Sequence, residues 1–276
     1  VNINRIAILG SGSMGTAILS GLLASGFEAS KVTITTKTEA SADKLADELG
    51  VNAIALDSQS NGNQEAVSGA DVVLVAVKPG YVVEVLNEVA SQLQSNALVI
   101  SVAAGITTAS MEAAVPASVA VVRAMPNTPA IVGRAVTGVS TGSRVSEAQL
   151  ETALDLFETV GRVVVLPEEQ IDALSTISGS GPAYVFYLVE QLTLAAQEMG
   201  FAEDVAAMLV EETFAGATEL LSASNQSPEA LRKQVTSPNG TTMQAIGVLE
   251  QAQLAELFTK ATNAALARAK EIAAGN

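Results

Sequence analysis

Arg5-Ile6-Ala7-Ile8-Leu9 runs straight into Gly10-Ser11-Gly12-Ser13-Met14-Gly15, and this junction constrains the fold more than any other stretch. A short apolar run closed by glycine reads as a strand. The helical spacing from Met14 to Ser25, stopped by Gly26, reads as a helix. In a strand–GxGxxG–helix unit the first glycine permits a tight turn. The second lets a phosphate approach the backbone, and the third lets helix pack on strand. In this context Gly10, Ser11, Gly12, Ser13, Met14 and Gly15 are expected to cradle the pyrophosphate of a dinucleotide. The competing reading is a purely structural turn.

The same alternation continues for some distance. Lys31 to Thr36 reads as a strand and is followed by a helix ending near Gly50. Val72 to Val77 is apolar at every position, as a parallel strand covered on both faces should be. Ala97 to Ala103 and Val119 to Met125 repeat the idea, and Arg162 to Leu166 reads as the last strand. Residues 1–167 are therefore expected to form an α/β domain, a Rossmann-type doubly wound parallel sheet.

Beyond Pro167 the pattern changes. Pro182 suits a first helical turn, and Val185, Leu188, Val189, Leu192, Ala195, Ala196 and Met199 recur at helical spacing until Gly200. Further helices are predicted from about Glu203 to Ser222, Pro228 to Gln234, and Leu254 to the C-terminus. An all-α domain is expected over 168–276.

Composition narrows the chemistry. The 276-residue chain has no cysteine and no histidine, so no disulfide, thiol nucleophile or metal site is expected. Reactivity must come from hydroxyls, carboxylates, lysine or a bound cofactor. A net charge of −15 argues against nucleic acid and against an anionic membrane surface. The apolar run Ala183 to Val189 is too short to span a bilayer. Val1 to Leu9, with Asn2, Asn4 and Arg5, reads as a strand and not as a secretion signal, so a soluble cytoplasmic protein is expected.

An NAD-preferring loop of this kind carries an acidic residue about 20 residues on, to bind the ribose 2′-hydroxyl. Here the second strand ends in Thr35-Thr36-Lys37-Thr38, and the first carboxylate is Glu39. Hydroxyls and a lysine suit a 2′-phosphate, so Thr36 and Lys37 favour NADPH, with NADH the weaker alternative. A merely solvated Lys37 is the bland reading.

Other segments fall at predicted strand ends, where open α/β sheets bind ligands. Val77-Lys78-Pro79 is one. Ser101-Val102-Ala103-Ala104-Gly105 is another, and its small residues would let a flat ring lie against backbone. Met125-Pro126-Asn127-Thr128-Pro129 is a rigid loop, and Ser178-Gly179-Ser180-Gly181-Pro182-Ala183 opens the long helix. Taken singly, each is explained as well by packing or turn formation. In the helical half, Thr236-Ser237-Pro238-Asn239-Gly240-Thr241-Thr242 feeds threonines into a helix start and offers N–H groups and hydroxyls to a small anion. Simple helix capping is its alternative.

The ordered set GSGSMG (Gly10–Gly15), AVKP (Ala76–Pro79), SVAAGIT (Ser101–Thr107), RAMPNTPA (Arg123–Ala130), SGSGPAY (Ser178–Tyr184) and SPNGTT (Ser237–Thr242) resembles the Δ1-pyrroline-5-carboxylate reductases. The resemblance covers essentially the whole chain from Arg5. It implies a Rossmann domain followed by a helical dimerisation domain, and assembly as dimers or rings of dimers. It also implies NAD(P)H-dependent reduction of a cyclic imino acid to L-proline, with the active site where the two domains meet and the partner subunit contributing.

By position, the resemblance puts the pyrophosphate on Gly10–Gly15, the adenosine ribose or its phosphate by Thr36, and adenosine by Asn63. It puts the nicotinamide side along Ala76, Val77, Lys78 and Pro79, and along Val102, Ala103 and Ala104. Ser237 and the backbone of Gly240 and Thr241 would take the substrate carboxylate, the Thr242 hydroxyl would face the ring nitrogen, and Glu168 would lie near the substrate. Asn239 replaces a glycine common in the family's turn, though asparagine also tolerates a left-handed backbone. Gln234 stands where some relatives have asparagine.

A protonated imine is already electrophilic, so the reaction asks the protein mainly for alignment, which suits a chain without histidine. Two other readings stand beside this one. A reductase of another cyclic imine, or a β-hydroxyacid dehydrogenase relative, is the first. The latter would carry a catalytic lysine on a helix of the second domain, where Lys233, Lys260 and Lys270 are available. The second is a non-catalytic dinucleotide-binding regulator.

Overall fold

Short aliphatic and β-branched runs form β1 (Ile6–Leu9), β2 (Val32–Thr36), β3 (Asn52–Ala55), β4 (Val72–Val75), β5 (Leu98–Ser101), β6 (Ala120–Met125), β7 (Ala135–Thr141) and β8 (Gly161–Val165). Between them lie α1 (Ser13–Ala24), α2 (Glu39–Leu49), α3 (Gly62–Val67), α4 (Val82–Val89), α5 (Thr108–Ala114) and α6 (Glu147–Glu158). Then come α7 (Glu168–Leu174), α8 (Gly181–Glu198), α9 (Glu203–Ala223), α10 (Pro228–Gln234), α11 (Thr241–Gln251) and α12 (Leu254–Ala273). This computed structural model describes residues 3–273. Val1 and Asn2 of the expected first segment, and 274–276 of the expected last helix, lie outside the described residues.

All eight strands join one sheet in the order β3-β2-β1-β4-β5-β6-β7-β8. The order reverses at β1, which pairs with β2 on one side and β4 on the other, both parallel. Strands β1, β4 and β5 are buried along their whole length. One face is covered by Ile18, Leu19 and Leu22 of α1 with Leu156 and Phe157 of α6. The other is covered by Val67, Leu86 and Met111 from α3, α4 and α5.

The sheet departs from the parallel expectation at one pair. Strand β7 runs antiparallel to β6, and β8 is parallel to β7. Between Met125 and Ala135 there is room only for a 3₁₀ turn, Thr128–Val132, closed by Gly133 at φ 67°. A parallel return needs a crossover of a dozen or more residues, so this link can only reverse the chain. Neither β3 nor β7 stands out in the sequence: Asn52–Ala55 is short, and β7 mixes threonines with Gly138.

Two compact units emerge. Among the described residues, one comprises 3–179 and 265–273; the other is Ser180–Ala264. Pro167 marks the change from strand to helix, but α7 still belongs to the first unit. A Cβ on Gly138 of β7 would fall 3.0 Å from Leu174 Cδ1 and 3.3 Å from Ile171 Cδ1. The first stretch of this unit ends with a turn of π-helix, Ser175–Gly179.

In the second unit α8 turns into α9 at Gly200, whose φ of 98° is a left-handed stop. Phe201 N donates to Ala196 O there at 3.3 Å. Among the described residues of this unit, Ala206 and Val210 are the buried hydrophobics, whereas Phe186 is 69% and Met199 80% exposed. No helix among the described residues is long and apolar enough to cross a membrane.

Candidate active site

In the first unit the glycine loop sits at the carboxyl end of β1, at the point where the strand order reverses. Gly10 has φ 85°, and a Cβ there would lie 2.7 Å from Val77 Cγ1. A Cβ on Gly15 would lie 3.1 Å from Gly10 O and 3.3 Å from the Ala76 Cβ, so α1 packs closely on the sheet. Gly12, by contrast, has nothing within 4 Å of its missing Cβ. It is the N-cap of α1 and supplies no side-chain cap, so first-turn N–H groups face outward. Ser11 N and Gly10 N tie the loop to Thr35, at 2.9 Å and 3.1 Å. Ser11 Oγ is buried with no hydrogen-bond partner among the described residues. An uncapped helix start, an open glycine and an unpartnered buried hydroxyl fit a dinucleotide pyrophosphate. Ser13 and Met14 begin α1, and Ser11, Gly12 and Ser13 line a cleft with Ser41 and Lys44 of α2. Neither Ser41 nor Lys44 carries a sequence signal, since helix faces look alike until the neighbour is known.

At the end of β2 the expected residues divide. Thr36 is buried and its hydroxyl donates to Thr38 O at 2.9 Å. Its donor is thus used internally, and exposed Lys37 is the cation at this edge. Asn63, on α3, is buried; Nδ2 donates to Glu88 Oε2 at 3.1 Å, while Oδ1 has no partner among the described residues.

The adjacent strand ends converge as expected. Ala76 N donates to Leu9 O at 2.8 Å and Val102 N to Val75 O at 3.1 Å, which sets the AVKP and SVAAG segments side by side. Lys78 and Ala104 are exposed, Ala103 is buried, and Pro79 starts a 3₁₀ turn.

Glu168, the first residue of α7, is bound within this unit. Its Oε1 accepts from Thr108 N and its Oε2 from Thr108 Oγ1, both at 2.7 Å. Arg123 Nη1 stands 3.6 Å from Oε1, and Nη2 of the same arginine is hydrogen-bonded to Asp172. The sequence reading missed Thr108, Arg123 and Asp172. The available signal was a charged residue inside the strand Ala-Val-Val-Arg-Ala-Met, which must be paired if buried.

In the second unit the SPNGTT turn has its expected shape. Asn239 adopts φ 59°, so this departure from the family glycine is accommodated. Gly240 N donates to Ser237 O at 3.0 Å and closes the turn. The Gly240 N–H is thus engaged within the turn, and the next N–H groups are those of Thr241 and Thr242. Gly240 is the N-cap of α11 without a side-chain cap, and exposed Thr241 and Thr242 are the first helical residues. Their N–H groups point out of the helix end. A Cβ on Gly240 would fall 2.3 Å from Ser237 Oγ, so that hydroxyl is held over the glycine backbone. Simple capping by the threonines does not occur. Gln234 donates to Gln226, and Lys233 pairs with Glu229 at 2.6 Å along its own exposed helix face.

Comparison with known proteins agrees with these two sets of features. Residues 168–272 match the family model "Pyrroline-5-carboxylate reductase dimerisation", and residues 5–105 match "NADP oxidoreductase coenzyme F420-dependent". A pyrroline-5-carboxylate reductase of Corynebacterium melassecola is 37% identical over 97% of this chain and 98% of its own. The structure of a Coxiella burnetii pyrroline-5-carboxylate reductase superposes with TM-score 0.91 at 38% identity, covering 98% of each chain. The Plasmodium falciparum pyrroline carboxylate reductase with NADP bound gives TM-score 0.83 at 26% identity, over 99% of this chain and 98% of its own. On full-length identity, matched family model and matched fold together, the chain belongs to the pyrroline-5-carboxylate reductase family.

Proposed function

We propose that the protein reduces the C=N bond of 1-pyrroline-5-carboxylate to give L-proline, with NADPH as its preferred cofactor and NADH as a weaker one. The observation that carries this reading is the uncapped α11 start behind the Ser237–Gly240 turn. It offers a small carboxylate the Ser237 hydroxyl and the N–H groups of Thr241 and Thr242, with no lysine or histidine needed. The Thr242 hydroxyl serves as hydrogen-bond partner to the ring nitrogen.

Gly10, Ser11, Gly12, Ser13, Met14 and Gly15 hold the pyrophosphate, with Asn63 toward adenosine. Lys37 faces the ribose 2′-phosphate, and Thr36, whose hydroxyl donates to Thr38 O, holds the loop by the adenosine ribose in shape. Ala76, Val77, Lys78 and Pro79, with Val102, Ala103 and Ala104, flank the nicotinamide. When bound, that ring supplies the hydride. The residues of this chain bind, align and exclude water.

The apolar side chains exposed on the helical unit support self-association, as a dimer or a ring of dimers. The net charge of −15 supports a protein that keeps away from nucleic acid and membrane surfaces, in the cytoplasm.

The test is loss of NADPH absorbance on adding pyrroline-5-carboxylate, with NADH and a six-membered cyclic imine in parallel. Fast turnover of the five-membered imine, and a rate ratio favouring NADPH, is the expected result. Faster turnover of the six-membered imine would move the substrate assignment. Cofactor binding without turnover of either would leave a regulator.

A further inference from the structure

The carboxylate of Glu168 sits in a network that serves another segment of the chain. Thr108 donates to both of its oxygens at 2.7 Å, across 60 residues of sequence. Arg123 stands behind the carboxylate with 3% of its side chain exposed, held in place by Asp172 as well. Thr108 is itself buried and is the first residue of α5, where its N–H has no acceptor inside the helix. Thr107 is the N-cap and accepts from Ser110 N at 3.1 Å, so the capping residue leaves the Thr108 N–H to Glu168.

What this network holds is the segment just before α5. Residues 102–106 leave the sheet at Ser101, whose Oγ accepts from Ala103 N at 3.2 Å. Val102 N donates to Val75 O at 3.1 Å, which anchors the near end to β4. Gly105 turns the chain at φ 76°. The far end is anchored by Glu168 through Thr108. The segment that carries Val102, Ala103 and Ala104 is therefore stretched between one anchor in its own sheet and one carboxylate from α7.

We propose that Glu168 is a positioning residue: acting through Thr108, it sets the Val102–Ala104 backbone against which the nicotinamide lies, and it does not touch the substrate. This rests on the cofactor reading above. A carboxylate that turned to a substrate would leave the buried Thr108 N–H without an acceptor and Arg123 with Asp172 alone. The geometry gives that carboxylate a structural partner on each oxygen and a guanidinium at its back.

The experiment uses the full chain and two separate readouts for Glu168→Ala, Glu168→Gln, Thr108→Val and the Glu168→Ala/Thr108→Val double variant. The first is titration with NADPH alone, following both affinity and the emission of the bound nicotinamide. The second is the KM for pyrroline-5-carboxylate at saturating NADPH. Glu168→Ala is expected to weaken NADPH roughly tenfold and to change the bound emission, with the imine KM within about twofold of the parent. Thr108→Val, which removes the Oγ1 donor and keeps the side-chain shape, should weaken NADPH by about threefold. The double variant should bind no more weakly than Glu168→Ala, because both changes break one linkage. Glu168→Gln should fall between parent and alanine variant.

Unchanged NADPH affinity and emission with a raised imine KM would put Glu168 on the substrate and overturn the proposal. Multiplying effects in the double variant would overturn it too. Should Glu168→Ala fail to fold, Glu168→Gln and Thr108→Val decide together, since parent-like emission and affinity in both, one weakening the acceptor of the Thr108 N–H and the other removing the Oγ1 donor, would overturn the proposal. The titration needs no turnover. A parent protein that binds NADPH and reduces no imine would end the reductase reading and leave this linkage open to the same test.

Discussion

Asn127 Nδ2 donates to the carbonyl oxygen of Ser178 at 2.8 Å, across 51 residues of sequence. The same side chain accepts from Val136 N at 2.8 Å through Oδ1, and it is buried. One amide thus fastens the loop after β6 to the start of β7 and to the π-helical turn that follows α7. Asn127→Ala would leave a buried N–H and a backbone carbonyl without partners. It should cost about 2 kcal/mol of stability, read as a lowered urea midpoint. Asn127→Asp keeps the acceptor but sets a carboxylate against the Ser178 carbonyl, and should not rescue.

Arg123 is the cation for both Glu168 and Asp172. Arg123→Met fills the buried space but leaves the two carboxylates without their shared cation. Their side chains keep 28% and 24% exposure, so the cost falls below that of breaking a fully buried pair. A loss of about 2 kcal/mol, measured by denaturant unfolding, is expected. An unchanged midpoint would show that solvent takes over the arginine's part.

The turn before α11 separates backbone shape from hydroxyl chemistry. Gly240→Ala places a Cβ 2.3 Å from Ser237 Oγ and must displace that side chain. The imine KM should rise while NADPH affinity holds. Thr242→Ala leaves the turn intact and should lower kcat by roughly ten- to a hundredfold, the size of one hydrogen bond to a charged group. Equal kcat in this variant would remove Thr242 from the reaction.

The proposed NADPH preference falls to exposed Lys37, because the Thr36 hydroxyl donates to Thr38 O. Lys37→Ser should reduce the NADPH to NADH ratio of kcat/KM by roughly tenfold or less, since the pair is solvent-screened. The change should come from weaker NADPH and not from better NADH.

Phe186 on α8 is 69% exposed in the single chain. Phe186→Glu should weaken self-association, with a dissociation constant at least roughly tenfold higher by sedimentation, because burying such a side chain contributes about 2 kcal/mol. A variant that keeps the parental mass at low concentration would place the interface elsewhere.

Much of the candidate site's backbone geometry was legible in the chain because its signals are local. Gly10, Gly12 and Gly15 lie within one strand-to-helix junction, and their backbone demands follow from spacing alone. The left-handed Asn239 and the helix start at Thr241 are equally local. The antiparallel β7 was hidden, because Ala135–Thr141 has too little apolar character to announce a strand, and only the strand reveals that its link is too short for a crossover. The reach of Glu168 to Thr108, the pairing of Arg123 with Asp172 and the Asn127–Ser178 bond join residues distant in sequence. Residue type and spacing by themselves determined the strand–glycine loop–helix unit, the helical second half and the turn that starts α11, since each is written in neighbouring residues. Which carboxylate faces which donor, where the first unit ends and which way β7 runs were decided by packing, because burial forces polar groups to find partners wherever the fold brings them.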